Sequence, residues 1–278
     1  MLLFSVVNYK NYKVTREFID SFLNLKEKQK KLIVWDNSTD EKEFERLKSD
    51  YERFQVVFYS TKENLGYFGG AFNAYHYFIR DNPDSIVEYF VVCNNDLQFE
   101  KHSNWSAELN LIKEKFPKVG VVAPKILSAK SKKNQNPFLI QRPNKLHYLK
   151  WKLIFSHYLF TRFFYTFRKV ILVFKAKSSA GVECIKNSHR PIYAAQGACF
   201  IFTERFLSSQ YDYSDIPFLY CEEITVAEHC RSASLDIVTS DAVVVNHTEN
   251  VSTSSNMTPF KWLSIKEAQK YILENYYK

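Results

Sequence analysis

Four ionisable side chains in this 278-residue sequence follow apolar, strand-like runs, which is where a sheet presents groups that do chemistry. They are Asp96, the adjacent pair Glu222 and Glu223, and His247. A carboxylate and an imidazole can together hold one divalent ion such as Mg²⁺ or Mn²⁺, which fits Asp96 and His247. A second carboxylate near that ion is what an alcohol needs as a general base, so either member of the glutamate pair is a candidate.

These residues also have ordinary structural interpretations. The triplet from Asn94 to Asp96 is common in turns, where an aspartate caps the helix that follows. Acidic residues such as Glu222 and Glu223 begin helices because they interact favourably with the helix dipole, and a single histidine after a strand is more often a hydrogen-bonding residue. One such group alone favours the structural interpretation, whereas three in one chain favour a functional site.

A glycine-rich stretch from Asn64 to Asn73 opens a predicted helix that continues to about Ile79. It holds three of the chain's six glycines, which let a backbone approach a ligand closely, and the helix start offers free N–H groups to an anion. The stretch therefore has the chemistry of a phosphate-facing loop. It has neither the lysine of a P-loop nor G-x-G-x-x-G spacing, and a glycine-rich helix start without a ligand explains the pattern about as well.

The elements that carry these residues alternate between strands and helices, which predicts βαβ units and a mostly parallel sheet. Strands are predicted at residues 2–7, 32–35, 55–59, 89–93, 119–123, 191–202 and 241–245, and helices around 14–25 and at 41–51, 105–115 and 260–276, with two more that start near 203 and 222. Pro124 is expected to end the fifth strand. Since parallel strands end at one edge of a sheet, Asn8 and Asp36, which follow the first two strands, are expected at the same edge.

The composition is that of a folded protein with one unusually basic region. Hydrophobic residues make up 46% and aromatic residues 17% of the chain, which supports a substantial core and excludes a disordered or fibrous protein. The net charge is +8, yet residues 115–177 hold 15 Lys and Arg and no Asp or Glu, so the other 23 basic and 30 acidic residues leave −7. An acidic domain with one basic patch is therefore favoured over a protein that coats nucleic acid.

Residues 128–180, here named the basic aromatic segment, contain most of this positive charge. Residues 149–170 mix Lys and Arg with Trp, Tyr, Phe and Leu, which is typical of a helix lying in the interface of an anionic membrane. A core hairpin with snorkelling lysines and a surface for single-stranded nucleic acid are the alternatives, and the membrane interpretation is favoured over both. The five cysteines form no C-x-x-C pair and no uncharged apolar run approaches the roughly 20 residues that span a bilayer, so a cytoplasmic protein with reduced thiols is expected.

Several short motifs occur in order along nearly the whole chain. They are Val6-Val7-Asn8-Tyr9, Asp36-Asn37-Ser38, the glycine-rich stretch with Asn64, Gly69, Gly70 and Asn73, the triplet Asn94-Asn95-Asp96, Gly197-Ala198-Cys199-Phe200-Ile201, Glu222-Glu223 and His247. In this set the sequence resembles the inverting family-2 glycosyltransferases with the GT-A fold, particularly bacterial rhamnosyl- and galactofuranosyltransferases. The triplet stands in the place of their D-x-D motif and the glutamate pair in the place of their E-D motif.

The resemblance implies an α/β fold of the GT-A type, Rossmann-like, with a mostly parallel central sheet flanked by helices and the basic aromatic segment as a helical insertion. Residues 1–127 would be the nucleotide-sugar-binding half and residues 181–278 the acceptor and catalytic half. The implied reaction moves a sugar from a UDP- or dTDP-sugar to a hydroxyl of a lipid-linked glycan acceptor, in bacterial cell-surface polysaccharide synthesis. The basic aromatic segment would hold the enzyme at the inner face of the cell membrane.

The resemblance also implies a role for each site residue. The donor would be held near Asn8, Asp36, Asn64, Gly69, Gly70, Asn73 and Asn95. Asp96 and His247 would bind Mg²⁺ or Mn²⁺ on the diphosphate, and Glu223, or alternatively Glu222, would deprotonate the acceptor hydroxyl.

The sequence departs from the family pattern in ways that keep two questions open. Asn94 replaces the first acid of D-x-D, which leaves fewer charges for a metal, and Glu223 replaces the usual aspartate, which leaves the choice of base between the two glutamates open. A sugar-phosphate nucleotidyltransferase is one alternative, although the glycine-rich stretch lacks the basic residues that its chemistry needs. A non-catalytic module that binds a membrane or nucleic acid is the other.

Overall fold

The structure of the chain, a computed structural model, describes residues 1–38, 40–54, 56–100, 104–166, 189–249 and 257–278. In these residues one sheet is formed by β1 (Leu2–Asn8), β2 (Lys30–Asp36), β3 (Val56–Ser60), β4 (Tyr89–Cys93), β5 (Leu97–Phe99), β6 (Val119–Ser128), β7 (Pro191–Ile192), β8 (Cys199–Thr203) and β9 (Asp236–His247). The strand order is β3-β2-β1-β4-β8-β6-β9-β5, and β7 also pairs with β9.

Helices cover both faces of this sheet. They are α1 (Tyr12–Leu23), α2 (Glu41–Tyr51), α3 (Gly66–Asp81), α4 (Trp105–Lys115), α5 (Lys145–Ile154), α6 (Glu204–Ser208), α7 (Glu222–Ser232) and α8 (Pro259–Tyr276), and residues 158–166 are also helical. In β1, Phe4 packs against Phe22 of α1 on one face of the sheet. The preceding residue, Leu3, points to the other face and belongs to the same apolar cluster as Phe72 of α3. The predicted α/β fold class, a central sheet flanked by helices, is confirmed, and burial of both faces explains the continuous apolar runs.

The direction of the strands determines where the candidate site lies. β3, β2, β1 and β4 pair in parallel, as the βαβ pattern predicts, whereas β8 is antiparallel to both β4 and β6. β6 and β9 pair in parallel, so β1, β2, β4, β6 and β9 all end at the same edge of the sheet, here named the carboxyl edge. β8 runs the other way and therefore begins at this edge.

Three strand predictions are wrong in extent. β6 continues past Pro124 to Ser128, because the ladder between β6 and β9 shifts register at this proline and an irregular position tolerates a residue without an N–H group. The predicted strand 191–202 is two strands, β7 and β8, separated by a loop that contains Gly197. The last strand begins at Asp236, five residues earlier than predicted. A further strand, β5, follows Asp96 directly, so this aspartate does not cap a helix.

The basic aromatic segment is helical in part and packs on the C-terminal helix. α5 and residues 158–166 share an apolar cluster with α8 that includes Trp151, Phe155 and Trp262, and Tyr158 OH donates to the Met257 oxygen at 3.0 Å. Residues 167–180, the end of the segment, lie outside the described residues. Within the described ranges, no helix combines the length and the apolar character that crossing a membrane requires.

Candidate functional site

Asp36, at the end of β2, is the centre of a hydrogen-bond network at the carboxyl edge. The residue is only 1% exposed and accepts hydrogen bonds from Asn8 Nδ2 at 2.7 Å, Tyr12 OH at 2.8 Å and Ser38 Oγ at 2.6 Å. Burial raises the pKa of the Tyr12 phenol, which therefore remains a hydrogen-bond donor. The oxygens of this predicted donor-binding residue are thus already paired inside the protein.

The same network extends to Asn95, in the turn after β4. Asn8 Oδ1 accepts a hydrogen bond from Thr15 Oγ1 at 2.7 Å, and Thr15 Oγ1 accepts one from Asn95 Nδ2 at 3.1 Å. Three predicted donor-binding residues on three strand ends, Asn8, Asp36 and Asn95, are therefore joined by side-chain hydrogen bonds. The sequence interpretation missed Tyr12 and Thr15, although both are polar residues on the buried face of the amphipathic helix α1.

The glycine-rich stretch forms the start of α3, and its residues serve different purposes. Gly66 has a φ of +73° and accommodates Phe218 O, which would lie 2.7 Å from a Cβ at this position; its N–H donates to Asn64 Oδ1 at 3.0 Å. A Cβ on Gly70 would lie 2.8 Å from Trp35 Cδ1. This glycine, predicted to bind the donor, lies against the sheet and allows close packing of α3 on β2.

A cavity of about 590 Å³ lies between the start of α3 and the start of α7. It is lined by Gly69 and Asn73 of α3, by Glu222 of α7, and by side chains of the loop 212–218, among them Tyr213. Among the residues that the structure describes, no Lys or Arg lines the cavity, which therefore suits a neutral, hydroxyl-rich group better than a diphosphate. Two of the predicted donor-binding residues, Gly69 and Asn73, thus lie here and not in the network around Asp36.

Asp96 and His247, the predicted metal ligands, lie together at the carboxyl edge. β5 follows Asp96 and pairs with the end of β9, where Leu97 is opposite His247. His247 Nε2 lies 3.2 Å from Asp96 Oδ1, and both the N–H and the hydroxyl of Thr248 donate to the Asp96 backbone oxygen at 3.0 Å.

The donor atoms of this pair fit a divalent ion. An imidazole nitrogen and a carboxylate oxygen at this distance are a suitable pair of ligands for Mn²⁺ or Mg²⁺, which completes its shell with water and substrate phosphates. In the part of the chain that the structure describes, no group of three or more His, Cys, Asp or Glu side chains is placed to hold a metal. A metal ion held by Asp96 and His247 would take its other ligands from water and from substrate phosphates.

A glutamine contacts His247 on the side away from Asp96. Gln135 Oε1 lies 2.7 Å from His247 Nδ1, and Gln135 Nε2 donates to Glu249 Oε1 at 2.8 Å. The Lys130 ammonium group donates to the Glu249 backbone oxygen at 2.7 Å. The sequence interpretation missed Gln135 and Glu249. The polar run 134–136 is the signal that could have found the glutamine, because it follows β6 and β6 ends at the carboxyl edge.

Glu222 and Glu223 begin α7, where the loop before β8 contacts them. Gly197 N donates to Glu223 Oε1 at 3.2 Å, and a Cβ on Gly197 would lie 2.6 Å from that oxygen, so only glycine allows this approach. Glu222 turns back to its own helix start, where Cys221 N donates to Glu222 Oε2 at 2.9 Å.

The pKa values of both carboxyl groups are raised. Burial and the adjacent Glu223 carboxylate raise the pKa of Glu222 to about 8, and burial raises the pKa of Glu223. A glutamate with a raised pKa accepts a proton more readily than an ordinary glutamate, provided that it is still ionised at the working pH, and such a group suits general base chemistry.

Hydrogen bonds join the predicted metal ligands to the predicted base. Asn94 N, in the turn that carries Asp96, donates to Ala198 O at 2.9 Å. Asn136 Oδ1, in the run that carries the glutamine, accepts from Gln196 N at 2.8 Å. Residues 196–198 therefore connect the two groups, and the glycine that accommodates Glu223 lies between them.

No protein-family model and no curated protein matches this sequence, but solved structures share its fold. GalNAc-T7 in a complex with UDP, GalNAc and Mn²⁺ aligns with a TM-score of 0.62 and 10% identity, over 98% of this chain and 47% of its own. TarS of S. aureus in a complex with UDP-GlcNAc aligns with a TM-score of 0.57 and 10% identity, over 100% of this chain and 68% of its own. The mannosyltransferase PcManGT of Pyrobaculum calidifontis, in a complex with GDP-Man and Mn²⁺, aligns with a TM-score of 0.50 and 13% identity, over 96% of this chain and 68% of its own.

These alignments establish the fold of the chain. It has the GT-A fold of glycosyltransferases, as the sequence motifs imply. The chain spans about half the length of GalNAc-T7. The donors and the metal named in those complexes belong to those proteins.

Proposed function

We propose that this protein is a metal-dependent inverting glycosyltransferase that moves a sugar from a UDP- or dTDP-sugar to a hydroxyl group of a glycan. The observation that carries the proposal is the contact between His247 Nε2 and Asp96 Oδ1, 3.2 Å apart, at the carboxyl edge of a GT-A fold. A divalent ion held there would neutralise the negative charge that grows on the leaving diphosphate.

Glu223 is the proposed general base, which removes the proton from the attacking acceptor hydroxyl. The Gly197 N–H group fixes Glu223 Oε1 in position, and burial raises the pKa of the carboxyl group so that it accepts a proton readily. Glu222, whose pKa is about 8, carries a proton over much of the neutral range and adds little negative charge beside the base. A single displacement with the base opposite the leaving group inverts the anomeric carbon.

The donor and the acceptor are proposed to bind on opposite sides of Glu223. The nucleobase and ribose of the donor would lie near Asn8, Asp36, Asn64 and Asn95. The acceptor would enter through the cavity of about 590 Å³ that Glu222 lines. The described residues that line this cavity include no basic side chain, which supports a neutral sugar as its occupant. We further propose a lipid-linked glycan as acceptor and a role in bacterial cell-surface polysaccharide synthesis, of the rhamnosyl- or galactofuranosyltransferase type, on the basis of the sequence motifs.

The basic aromatic segment is proposed to bind the inner face of the cell membrane. Large apolar side chains are exposed on its helices and on α8, with which they pack: Leu146, Leu149, Leu153, Leu159, Phe160, Phe163, Phe260 and Leu263. On α5 they recur every three or four residues and so share one face, and the exposed Lys150 and Lys152 lie beside them. Exposed apolar groups flanked by lysines suit the interface of an anionic bilayer.

The experiment that tests the proposed reaction is a thermal-shift panel of UDP-, dTDP- and GDP-sugars with and without Mn²⁺. A ligand at 100 times its dissociation constant adds about 2.7 kcal/mol to the free energy of unfolding. We expect one pyrimidine donor to stabilise the protein in a Mn²⁺-dependent way, and the Asp96→Ala variant to lose that dependence. No shift with any nucleotide sugar would favour a non-catalytic module. UTP and dTTP are included in the panel, and a shift with one of these triphosphates instead would favour a nucleotidyltransferase.

The role of the base is tested with Glu223→Gln and its matched control Glu222→Gln. We expect Glu223→Gln to bind the donor normally and to lose transfer by about 10²–10⁴-fold, as is typical of a lost general base. Glu222→Gln should retain most of the activity. The reverse result would assign the base to Glu222.

A further inference from the structure

The imidazole ring of His247 is held by a chain of hydrogen bonds that the proposed reaction does not itself explain. The chain runs from Glu249 Oε1 to Gln135 Nε2 at 2.8 Å, and from Gln135 Oε1 to His247 Nδ1 at 2.7 Å. We propose that Gln135 and Glu249 are positioning residues that fix the tautomer of His247 and so present its Nε2 lone pair to a divalent ion. This inference rests on the metal site of the proposed function.

The orientation of the Gln135 amide follows from its partners. The Glu249 carboxylate can only accept hydrogen bonds, so the NH₂ group of Gln135 must face it and the carbonyl oxygen must face His247. A carbonyl oxygen accepts, so His247 Nδ1 carries the proton. With the proton on Nδ1, the neutral imidazole has its lone pair at Nε2, 3.2 Å from Asp96 Oδ1. Because this carboxylate is itself an acceptor, the arrangement holds when a metal ion, and not a proton, lies between the two atoms. Two acceptors facing each other are complementary to a cation between them.

Gln135 is held by a backbone hydrogen bond, and Glu249 is contacted by a lysine side chain. Gln135 N donates to Ile126 O at 2.8 Å, which ties the glutamine to β6. Glu249 has a φ of +55°, a left-handed conformation that is uncommon for glutamate and that persists where the surroundings impose it. The Lys130 ammonium group lies 2.7 Å from the backbone oxygen of Glu249 and 3.8 Å from Oε2 of its carboxylate. The hydrogen-bond chain is thus built on fixed positions at the ends of two strands.

The first test measures the tautomer of His247 by NMR on protein with ¹⁵N-labelled histidine in the presence of Mg²⁺ and UDP, so that an ion and not a proton lies between Nε2 and Asp96. We expect the Nδ1–H form in the wild type. Gln135→Leu removes the acceptor and should populate the Nε2–H form, which blocks the lone pair. Glu249→Gln lets both amides invert and should give a mixture of the two forms.

The second test measures the affinity for Mn²⁺ by titration calorimetry with UDP or dTDP present, because the diphosphate supplies further metal ligands. Loss of such an outer hydrogen-bond partner typically costs 10–100-fold in metal affinity, which is the loss that we expect for Gln135→Leu. The exchanged double variant Q135E/E249Q should recover most of it, because Glu at 135 accepts from Nδ1–H and Gln at 249 donates to that glutamate. A merely structural role of Gln135 would not be restored by this exchange.

The outcomes separate this inference from the proposed function. If Gln135→Leu keeps the wild-type tautomer and the wild-type Mn²⁺ affinity, the positioning role is wrong while the metal site stands. If the wild-type protein binds Mn²⁺ no better than Asp96→Ala, the metal site itself is wrong, and with it the positioning of His247 toward an ion. Melting temperatures of all variants identify any that fail to fold, and the double variant then carries the comparison.

Discussion

The substitution Gly197→Ala tests whether the close approach of Glu223 to the backbone matters for catalysis. The added Cβ would lie 2.6 Å from Glu223 Oε1, whereas ordinary van der Waals contact begins at 3.4 Å, so the carboxylate must move by about 0.8 Å. The atom that moves is the end of a flexible side chain, and Gly197 does not have a left-handed φ, so alanine fits the backbone without strain. The cost should fall on the position of the carboxylate and not on the fold.

The expected effect on turnover follows from that displacement. A misplacement of about 1 Å in a reacting group can lower the rate about 10²-fold, which corresponds to roughly 2.7 kcal/mol of activation free energy. We therefore expect Gly197→Ala to lower kcat about 10²-fold and to leave donor binding and the melting temperature close to those of the wild type. The assay is release of the nucleoside diphosphate from the donor that the thermal-shift panel identifies.

A matched control is available at the opposite edge of the sheet. Gly120 lies near the start of β6, and a Cβ there would lie 2.9 Å from Leu235 Cδ1, a crowding similar to that at Gly197 but remote from the candidate site. Gly120→Ala should affect the melting temperature more than kcat. If Gly197→Ala turns over as fast as the wild type, Glu223 in this position is not the catalytic base.

Three further predictions follow from groups described above or packed beside them. Burial and the Glu223 carboxylate raise the pKa of Glu222 to about 8. The contribution of Glu222 to folding stability is therefore complete below the ordinary glutamate pKa and is lost as the pH rises toward 8. The melting temperature of Glu222→Gln minus that of the wild type should increase with pH, and a constant difference would contradict this. Glu228 is buried and accepts hydrogen bonds from Arg142 Nε and Tyr193 OH, both at 2.6 Å, so Glu228→Gln should lower the free energy of unfolding in urea by about 1.5–3 kcal/mol. Arg231→Ala removes an exposed side chain that pairs with the same carboxylate and should cost about 1 kcal/mol or less. Leu153 and Phe163 are each 69% exposed. The double variant Leu153→Ser with Phe163→Ser should lower the fraction of protein that sediments with phosphatidylglycerol-containing vesicles and leave the melting temperature unchanged. Equal vesicle binding would argue against a membrane surface at these residues.

Strand direction explains why much of the site was within reach of sequence reasoning. Asn8, Asp36, Asp96 and His247 each follow an apolar run, and such runs point the same way when the strands are parallel. The structure accordingly brings Asn8 to 2.7 Å from Asp36 and His247 to 3.2 Å from Asp96. The roles of these residues in binding a donor and a metal remain predictions.

The parts that sequence reasoning missed depend on register and on loop conformation. Gln135 contacts His247 because the chain folds back after β6, where Gln135 N donates to Ile126 O. The polar run 134–136 indicates a residue near the carboxyl edge, but the sequence does not show which side chain the fold brings to His247. β5 has three residues, which is too short for an alternating pattern to appear. Gly70 looks like a ligand-facing glycine in sequence, but which side of a helix faces the sheet is decided by packing, here against Trp35.

The contacts of residues 134–143 have a practical consequence for dissecting the protein. A deletion of residues 128–180, the segment that composition alone marks as an insertion, would remove the glutamine beside His247 and the Asn136 side chain that holds Gln196 N. It would also break the contacts that fasten the C-terminal helix, since Tyr277 OH donates to the Pro143 oxygen at 2.8 Å. A deletion that begins at residue 128 therefore breaks contacts of both the candidate site and the C-terminal helix. Because α5 and residues 158–166 also pack on the C-terminal helix, substitutions of exposed side chains such as Leu153 and Phe163 separate the proposed membrane attachment from catalysis better than a truncation does.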